Sequence, residues 1–245
     1  MRNWLLIFIA LSIASLVTAE EMQHHNAAMT KLDKAPIDLS DYASLQRGAR
    51  LFMNECSGCH SLKYMRYDSL ARGLEITSDD GKILDKVVKE NLMFVGDTLA
   101  APINTAMPSK DAENWFGIVP PDLSLVARNR GVDWIYTYLR SFYVDPKRPW
   151  GVNNLVYPDV AMPHVLLNLQ GEQQLTHTGL KLVKAGTMTA AEYDTAVADL
   201  VNFLSFVGEP VQLVRRKIGA WVLVFLGIFL VFSYLLKREY WKDVH

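Results

Sequence analysis

The residues of this chain whose types and spacing could do chemistry are Cys56-Ser57-Gly58-Cys59-His60. Two cysteines three apart with a histidine directly after them form the attachment signature of a c-type haem. Residues i and i+3 share one face of a helical turn, so both thiols can reach the two vinyl groups of one porphyrin. Thioether bonds then fix the ring, and the adjacent imidazole falls beneath the iron as proximal ligand. These are the chain's only cysteines, so no disulfide framework competes for them. A thioredoxin-like redox pair would need a βαβ setting that the flanking sequence lacks, and it has no use for the histidine. A structural zinc site would need four ligands, and His24, His25, His164, His177 and His245 show no finger-like spacing.

A distal ligand would complete such a site, and two methionines present the same local sequence. Ala106-Met107-Pro108 and Ala161-Met162-Pro163 each place a thioether before a proline. The proline limits backbone freedom, and a loop can carry the side chain over the ring. Taken alone, either methionine could equally be core filling. A buried haem propionate would call for a paired cation, and Arg can answer it with two parallel hydrogen bonds. Arg130 and Arg128 are the candidates, both following Pro120-Pro121-Asp122-Leu123-Ser124.

The elements that must position these groups can be read from periodicity. Residues 38–56 have helical form, with Ser40 or Asp41 able to cap them and Leu45, Ala49, Phe52, Met53 and Cys56 on one face. Gly48 inside this helix costs about 1 kcal/mol against Ala, which a closely crossing second helix would explain. Thr189-Ala190-Ala191-Glu192 has capping-box form and opens a stripe of Tyr193, Val197, Leu200, Val201 and Leu204, closed by Gly208 and Pro210. Between these helices, 75–90 reads as a charged surface segment, and 93–121 and 145–163 read as irregular. The Pro120–Ser124 segment starts a helix, and Asp133 can cap another carrying Trp134, Tyr138 and Phe142. The expected fold is therefore mainly α, a cytochrome c-type haem domain with long irregular insertions.

Both ends address a membrane. Residues 1–19 read as a signal peptide, with Arg2, an apolar run from Leu5 to Val17 and small residues at the expected cleavage point. That run of about 13 residues is too short to span a bilayer, which takes about 20. Export suits covalent haem attachment on the outer side of a bacterial inner membrane. Ile218–Leu236 is 19 residues without charge, or roughly 28 Å of helix. Trp221, Tyr234, Tyr240 and Trp241 stand at its ends as interface aromatics. The expected division is a signal peptide at 1–19, a periplasmic haem domain at 20–213, an anchor helix at 214–237 and a cytoplasmic tail at 238–245. Residues 20–36 read as a mobile lead-in. Between Glu20 and Val214 there are 18 Lys/Arg against 24 Asp/Glu, a net charge of −6, although the whole chain is only −1. Such a domain would attract a basic soluble partner. There is no basic stripe with interleaved aromatics, which argues against nucleic acid.

In this order, the segments resemble the cytochrome c1 family of bacterial type, the haem subunits of cytochrome bc1 complexes (ubiquinol–cytochrome c reductases). The similarity covers nearly the whole chain. It rests on Cys56–His60 followed by Ser61-Leu62 and Tyr64, on Pro120–Ser124 with Arg128 and Arg130 downstream, on Ala161-Met162-Pro163, and on the single carboxy-terminal apolar helix. The resemblance implies one covalent haem c on Cys56 and Cys59, His60 and Met162 as axial ligands, and Arg130 near a propionate. Met162 follows the Pro120–Ser124 segment, as the ligand does in the family, whereas Met107 precedes it. The implied partners are cytochrome b, the Rieske iron–sulfur protein and a soluble cytochrome c, in a dimeric membrane complex. The implied role is electron relay, with no quinol-oxidising site in this chain. The alternatives are a tail-anchored haem subunit of another respiratory or photosynthetic complex, a haem-based ligand sensor, and a membrane-anchored binding module. One departure stands out: some bacterial members staple the distal loop with a disulfide, and no cysteine remains here to do so.

Overall fold

A computed structural model describes residues 31–243 of the chain. The signal peptide expected at 1–19 lies outside them. In chain order the elements are α1 (Tyr42–Glu55), β1 (Leu62–Arg66), α2 (Tyr67–Gly73), α3 (Asp85–Asn91), β2 (Pro102–Ile103), α4 (Ser109–Phe116), α5 (Val126–Asn129) and α6 (Val132–Arg140). There follow β3 (Phe142–Val144), β4 (Val152–Asn154), α7 (Leu167–Gln170), β5 (Gly171–Thr176), β6 (Gly179–Ala185), α8 (Ala190–Gly208) and α9 (Gln212–Tyr240).

The crossing of α1 and α8 holds the domain together. Asp41 caps α1 by accepting from the Ser44 amide at 3.0 Å. Thr189 and Glu192 form a reciprocal capping box on α8, as their spacing predicts. At Gly48 the helices meet without any side chain between them. A Cβ built there would lie 2.0 Å from the Asp199 carbonyl oxygen and 2.7 Å from Phe203 Cβ. One turn along, Phe52 and Phe203 pack with ring centroids 5.7 Å apart, both fully buried. Burying each such side chain stabilises the fold by roughly 1.5–3 kcal/mol. Arg47 grips Asp199 with two hydrogen bonds of 2.6 and 2.9 Å, and Asn202 donates to Ser44 Oγ and the Asp38 carbonyl. Tyr193 donates its hydroxyl to the Leu139 carbonyl at 2.9 Å, so α6 joins the same core.

Four sequence expectations are corrected. Residues 33–35 are not a loose lead-in: Asp33 and Ala35 donate backbone amides to Thr137 and Asp133 of α6, and Arg140 pairs with Asp33 at 2.7 Å. Asp133 accordingly does not cap α6. Gly131, at φ 87°, holds the cap position, and the Asp133 carboxylate is spent on Ala35. Inside 93–121, α4 runs from Ser109 to a left-handed Gly117 at φ 72°, where irregular chain was expected. Phe142, expected on the helix that carries Trp134 and Tyr138, opens β3 instead. Three antiparallel pairs, β1·β2, β3·β4 and the hairpin β5·β6, accompany the mainly helical architecture that was expected.

The last helix, α9, has 29 residues and a mean hydropathy of 2.4 over its most apolar stretch. It extends about 44 Å at 1.5 Å per residue, enough to cross a bilayer. Nearly all of its apolar side chains are exposed on every side, the condition that lipid rather than protein satisfies.

Candidate haem site

The proximal side is an extension of α1. After Glu55 the chain keeps winding: the Cys56 and Ser57 amides donate to Phe52 O, and the Cys59 and His60 amides donate to Cys56 O at 3.0 and 2.8 Å. This extra turn brings the two cysteines to one place, both as free thiols. Burial pushes the Cys56 thiol up to about 12, and it raises Cys59 as well, so both are held neutral. His60 is buried and neutral, its pKa lowered mainly by burial. Its Nδ1 lies 2.7 Å from the Pro121 carbonyl oxygen. A carbonyl only accepts, so Nδ1 carries the proton and Nε2 keeps its lone pair, the form in which imidazole binds a metal.

That carbonyl belongs to the Pro120–Ser124 segment, which clasps the chain after the haem motif. Leu123 N donates to Ser61 O, Lys63 N to Asp122 Oδ2 and Tyr64 N to Ser124 Oγ, at 2.9, 2.8 and 3.1 Å. A third strand of chain joins them. Thr105 donates its amide to Ser61 Oγ and its hydroxyl to Gly58 O, and accepts from the Met107 amide. Met107 is thus tethered to the segment that carries the proximal histidine.

Met162 lies elsewhere, against a small satellite core of Phe142, Val152 and Val160. Its sulfur accepts a hydrogen bond from the Tyr138 hydroxyl at 3.4 Å. Tyr138 belongs to a ladder at i, i+4 spacing. The Arg130 guanidinium stands 5.2 Å from the Trp134 ring centroid, Trp134 stacks on Tyr138 at 4.9 Å and 9°, and Tyr138 meets Phe142 edge-on at 5.2 Å. Phe142 in turn stacks on His164 at 4.7 Å. His164 is buried, held neutral with its pKa lowered to about 4 by burial, and among the described residues its Nε2 has no hydrogen-bond partner.

The two candidate arginines differ in their partners. Arg128 reaches Glu209 at 3.5 Å and packs over Gly208. Arg130 is exposed and, among the described residues, faces aromatic rings rather than a carboxylate.

These side chains fit a haem. They supply two neutral thiols one turn apart, an imidazole with its tautomer fixed, a half-buried thioether and an uncommitted guanidinium. Ile118 and Val119, more than two-fifths exposed, run directly into the segment that holds His60 and offer an apolar surface for a macrocycle edge. Among the described residues no three His, Cys, Asp or Glu side chains converge as a metal cluster. The sequence reading missed the Pro121 carbonyl as orienter of His60 and the Tyr138 hydroxyl as partner of Met162. The i, i+4 spacing of Arg130, Trp134, Tyr138 and Phe142 carried the second signal, but there it read only as packing.

Comparison with known proteins gives the family. The model of the Cytochrome C1 family matches residues 33–244. A cytochrome c1 of Allochromatium vinosum is 52% identical over 227 residues, covering 87% of this chain and 90% of its own. A protein of Nitrosomonas europaea named ammonia monooxygenase gamma subunit is 46% identical over 235 residues, covering 95% of this chain and 97% of its own. A solved chain of a hyperthermophilic respiratory Complex III superposes with a TM-score of 0.42 at 19% identity, covering 96% of each chain. The family match spans nearly all the described residues, and the chain belongs to the cytochrome c1 family of bacterial type, the electron-transfer subunits of the bc1 complex that carry a covalently bound c-type haem.

Proposed function

We propose that this chain relays single electrons from the Rieske iron–sulfur protein to a soluble cytochrome c, within a dimeric ubiquinol–cytochrome c reductase that also contains cytochrome b. The observation that carries the reading is the neutral, buried His60, its Nδ1 proton committed to Pro121 O and its Nε2 lone pair left for iron. In this reading Cys56 and Cys59 are the thioether anchors, His60 and Met162 the axial ligands, and Arg130 the cation beside a propionate. When bound, haem c supplies a one-electron ferric–ferrous couple.

The chain's own residues set the terms of that couple. The Pro121 hydrogen bond fixes the ring orientation of His60 and strengthens it as a donor. A soft thioether opposite favours ferrous over ferric iron and raises the potential, as a late carrier requires. Met162 is preferred over Met107 because Thr105 ties the Met107 segment to Gly58 and Ser61, which flank the proximal histidine, while Met162 sits in a separate cluster. Arg130 is preferred over Arg128 because Arg128 is already engaged by Glu209.

The chain contributes to the oxidoreductase as its electron-carrying subunit, and quinol oxidation is assigned to cytochrome b. The α9 helix anchors it in the bacterial inner membrane, with 20–213 in the periplasm and 238–245 in the cytoplasm. That orientation rests on the leader-like residues 1–19. A pyridine haemochrome spectrum of purified membranes should show covalent haem c, and the chain should copurify with a quinol-oxidising cytochrome b. The name of the Nitrosomonas relative favours a second reading, a haem subunit of a different complex. Copurification with other subunits and without cytochrome b would select it. The net charge of −6 between Glu20 and Val214 supports a basic electron acceptor. Its association rate should fall steeply as salt passes about 0.1 M, where screening acts over about 10 Å. A rate indifferent to ionic strength would remove that argument.

A further inference from the structure

The aromatic ladder that runs from α6 into β3 contains one polar atom that packing alone does not explain. Trp134, Tyr138 and Phe142 fill the space between Arg130 and His164, and the rings make contact as a phenylalanine at position 138 could. The Tyr138 hydroxyl adds nothing to those ring contacts. It sits in a largely desolvated place, where a hydroxyl left without an acceptor costs about 1–3 kcal/mol. Among the described residues its acceptor is the Met162 sulfur at 3.4 Å. A thioether is a weak acceptor, so the bond repays the desolvation poorly as a device for stability.

We propose that Tyr138 is a positioning residue for Met162, its hydroxyl taking one sulfur lone pair and leaving the other directed to the haem iron. The inference rests on the reading of Met162 as axial ligand. Donation to sulfur has two consequences. It selects one orientation of a side chain that otherwise rotates freely, and it draws electron density from the thioether. Ferric iron depends more on that density than ferrous iron does, so the hydrogen bond favours the reduced state. Tyr138 is seated by its stack on Trp134 and its edge contact with Phe142, so the hydroxyl is aimed before any ligand bond forms. Trp134 also lies under Arg130, which places the distal ligand and the propionate cation on one continuous row of side chains.

The test uses the full-length, haem-loaded chain in its membrane complex, read by spectroscopic redox titration and by the weak red absorption band of the ferric iron–sulfur bond. Tyr138→Phe keeps the ring and removes the hydroxyl. The expected result is a downward shift of the midpoint potential with the red band retained. Site-specific replacement of Tyr138 by 3-fluorotyrosine, a stronger donor of similar shape, should shift the potential upward, and it supplies the answer if Tyr138→Phe fails to accumulate. Tyr157 meets Trp134 edge-on with ring centroids 6.4 Å apart, and Tyr157→Phe removes a hydroxyl from the same aromatic cluster while leaving the partner of Met162 in place, so it should leave the potential unmoved. An unmoved potential in Tyr138→Phe with the band intact would overturn the proposal. So would an equal downward shift in Tyr157→Phe, because loss of any nearby hydroxyl would then account for it. Met162→Leu separates the two layers: if the red band survives that substitution, the ligand assignment itself fails.

Discussion

The two sides of the proposed haem site are built by different means. The proximal side hangs on the main chain: the turn at Cys56–His60 continues α1, and each hydrogen bond by which the Pro120–Ser124 and Thr105 segments clasp it has a main-chain amide or carbonyl at one end. The distal side is made of side chains: Met162 is approached by a tyrosine hydroxyl, and Trp134, Tyr138, Phe142 and His164 reach it as a row of rings. A main-chain end stays in place under substitution and several such bonds share the load, so the proximal frame is the firmer reference. Side-chain contacts can be altered one at a time, so the distal side is where the potential can be adjusted without rebuilding the domain.

Substitutions can break that contrast. The largest effect is expected at the crossing beneath the proximal side. Gly48→Ala drives a methyl into the Asp199 carbonyl, and overpacking of this kind costs about 1–3 kcal/mol or more. The midpoint of thermal unfolding should fall clearly, and an unchanged midpoint would show that the helices yield. Next comes Met162→Leu, expected to leave the haem covalently attached, lower its potential sharply and abolish the red band, while Met107→Leu spares the band. A band lost in Met107→Leu and kept in Met162→Leu would reverse the assignment of sides. Arg130→Gln should lower the potential by a smaller amount, because removing a nearby positive charge favours ferric iron. Arg128→Gln should leave it in place. If either arginine variant unfolded the domain, adjustability would not be confined to the distal side.

The smallest effect belongs to the α8 cap. Thr189→Ala should cost about 1 kcal/mol of stability with the potential unchanged. Its partner Glu192 has its pKa lowered by hydrogen bonds from Thr189. A depressed carboxylate contributes stability that is present above its ordinary pKa and lost as pH falls through the folded value. The difference between parent and Thr189→Ala should therefore narrow on acidification below the ordinary carboxylate range. A difference independent of pH would place the cap's contribution in the hydroxyl alone.

The same division explains what could be read from the sequence. Gly48, the Thr189–Glu192 box and Cys56–His60 are local signals: each states its geometry within a few residues, and each stands as that geometry requires. The pairing of Phe142 with Asn154 depends on chain folding back across a loop, and nothing local marks it. The β5·β6 hairpin did leave a turn signal at Thr176–Gly179, but its alternation is blurred by a register shift between Glu172 and Gln173. Asp133 is the right residue type at the start of a helix, yet a distant amide, Ala35 N, claims its carboxylate. The α4 helix escaped notice because Pro108 and Gly117, its boundary marks, were read as loop composition. Of the site, the proximal residues were legible as chemistry, while the distal ones could be ranked only by their order along the chain.

The crossing at Gly48 also bears on how freely this sequence can drift. The nearest obstacle to a side chain there is the carbonyl oxygen of Asp199, and every amino acid carries that oxygen. Only glycine at position 203 would remove the nearest side-chain contact, with its Cβ, and no exchange at position 199 can relieve the contact with the carbonyl. A methyl at position 48 therefore has no compensating partner substitution at the point of conflict. Only a shift of one whole helix would admit it, and that shift would carry the turn bearing Cys56, Cys59 and His60 along with it. Glycine at this position is the single residue on which the spacing of the domain's two main helices and the placement of its reactive turn jointly depend.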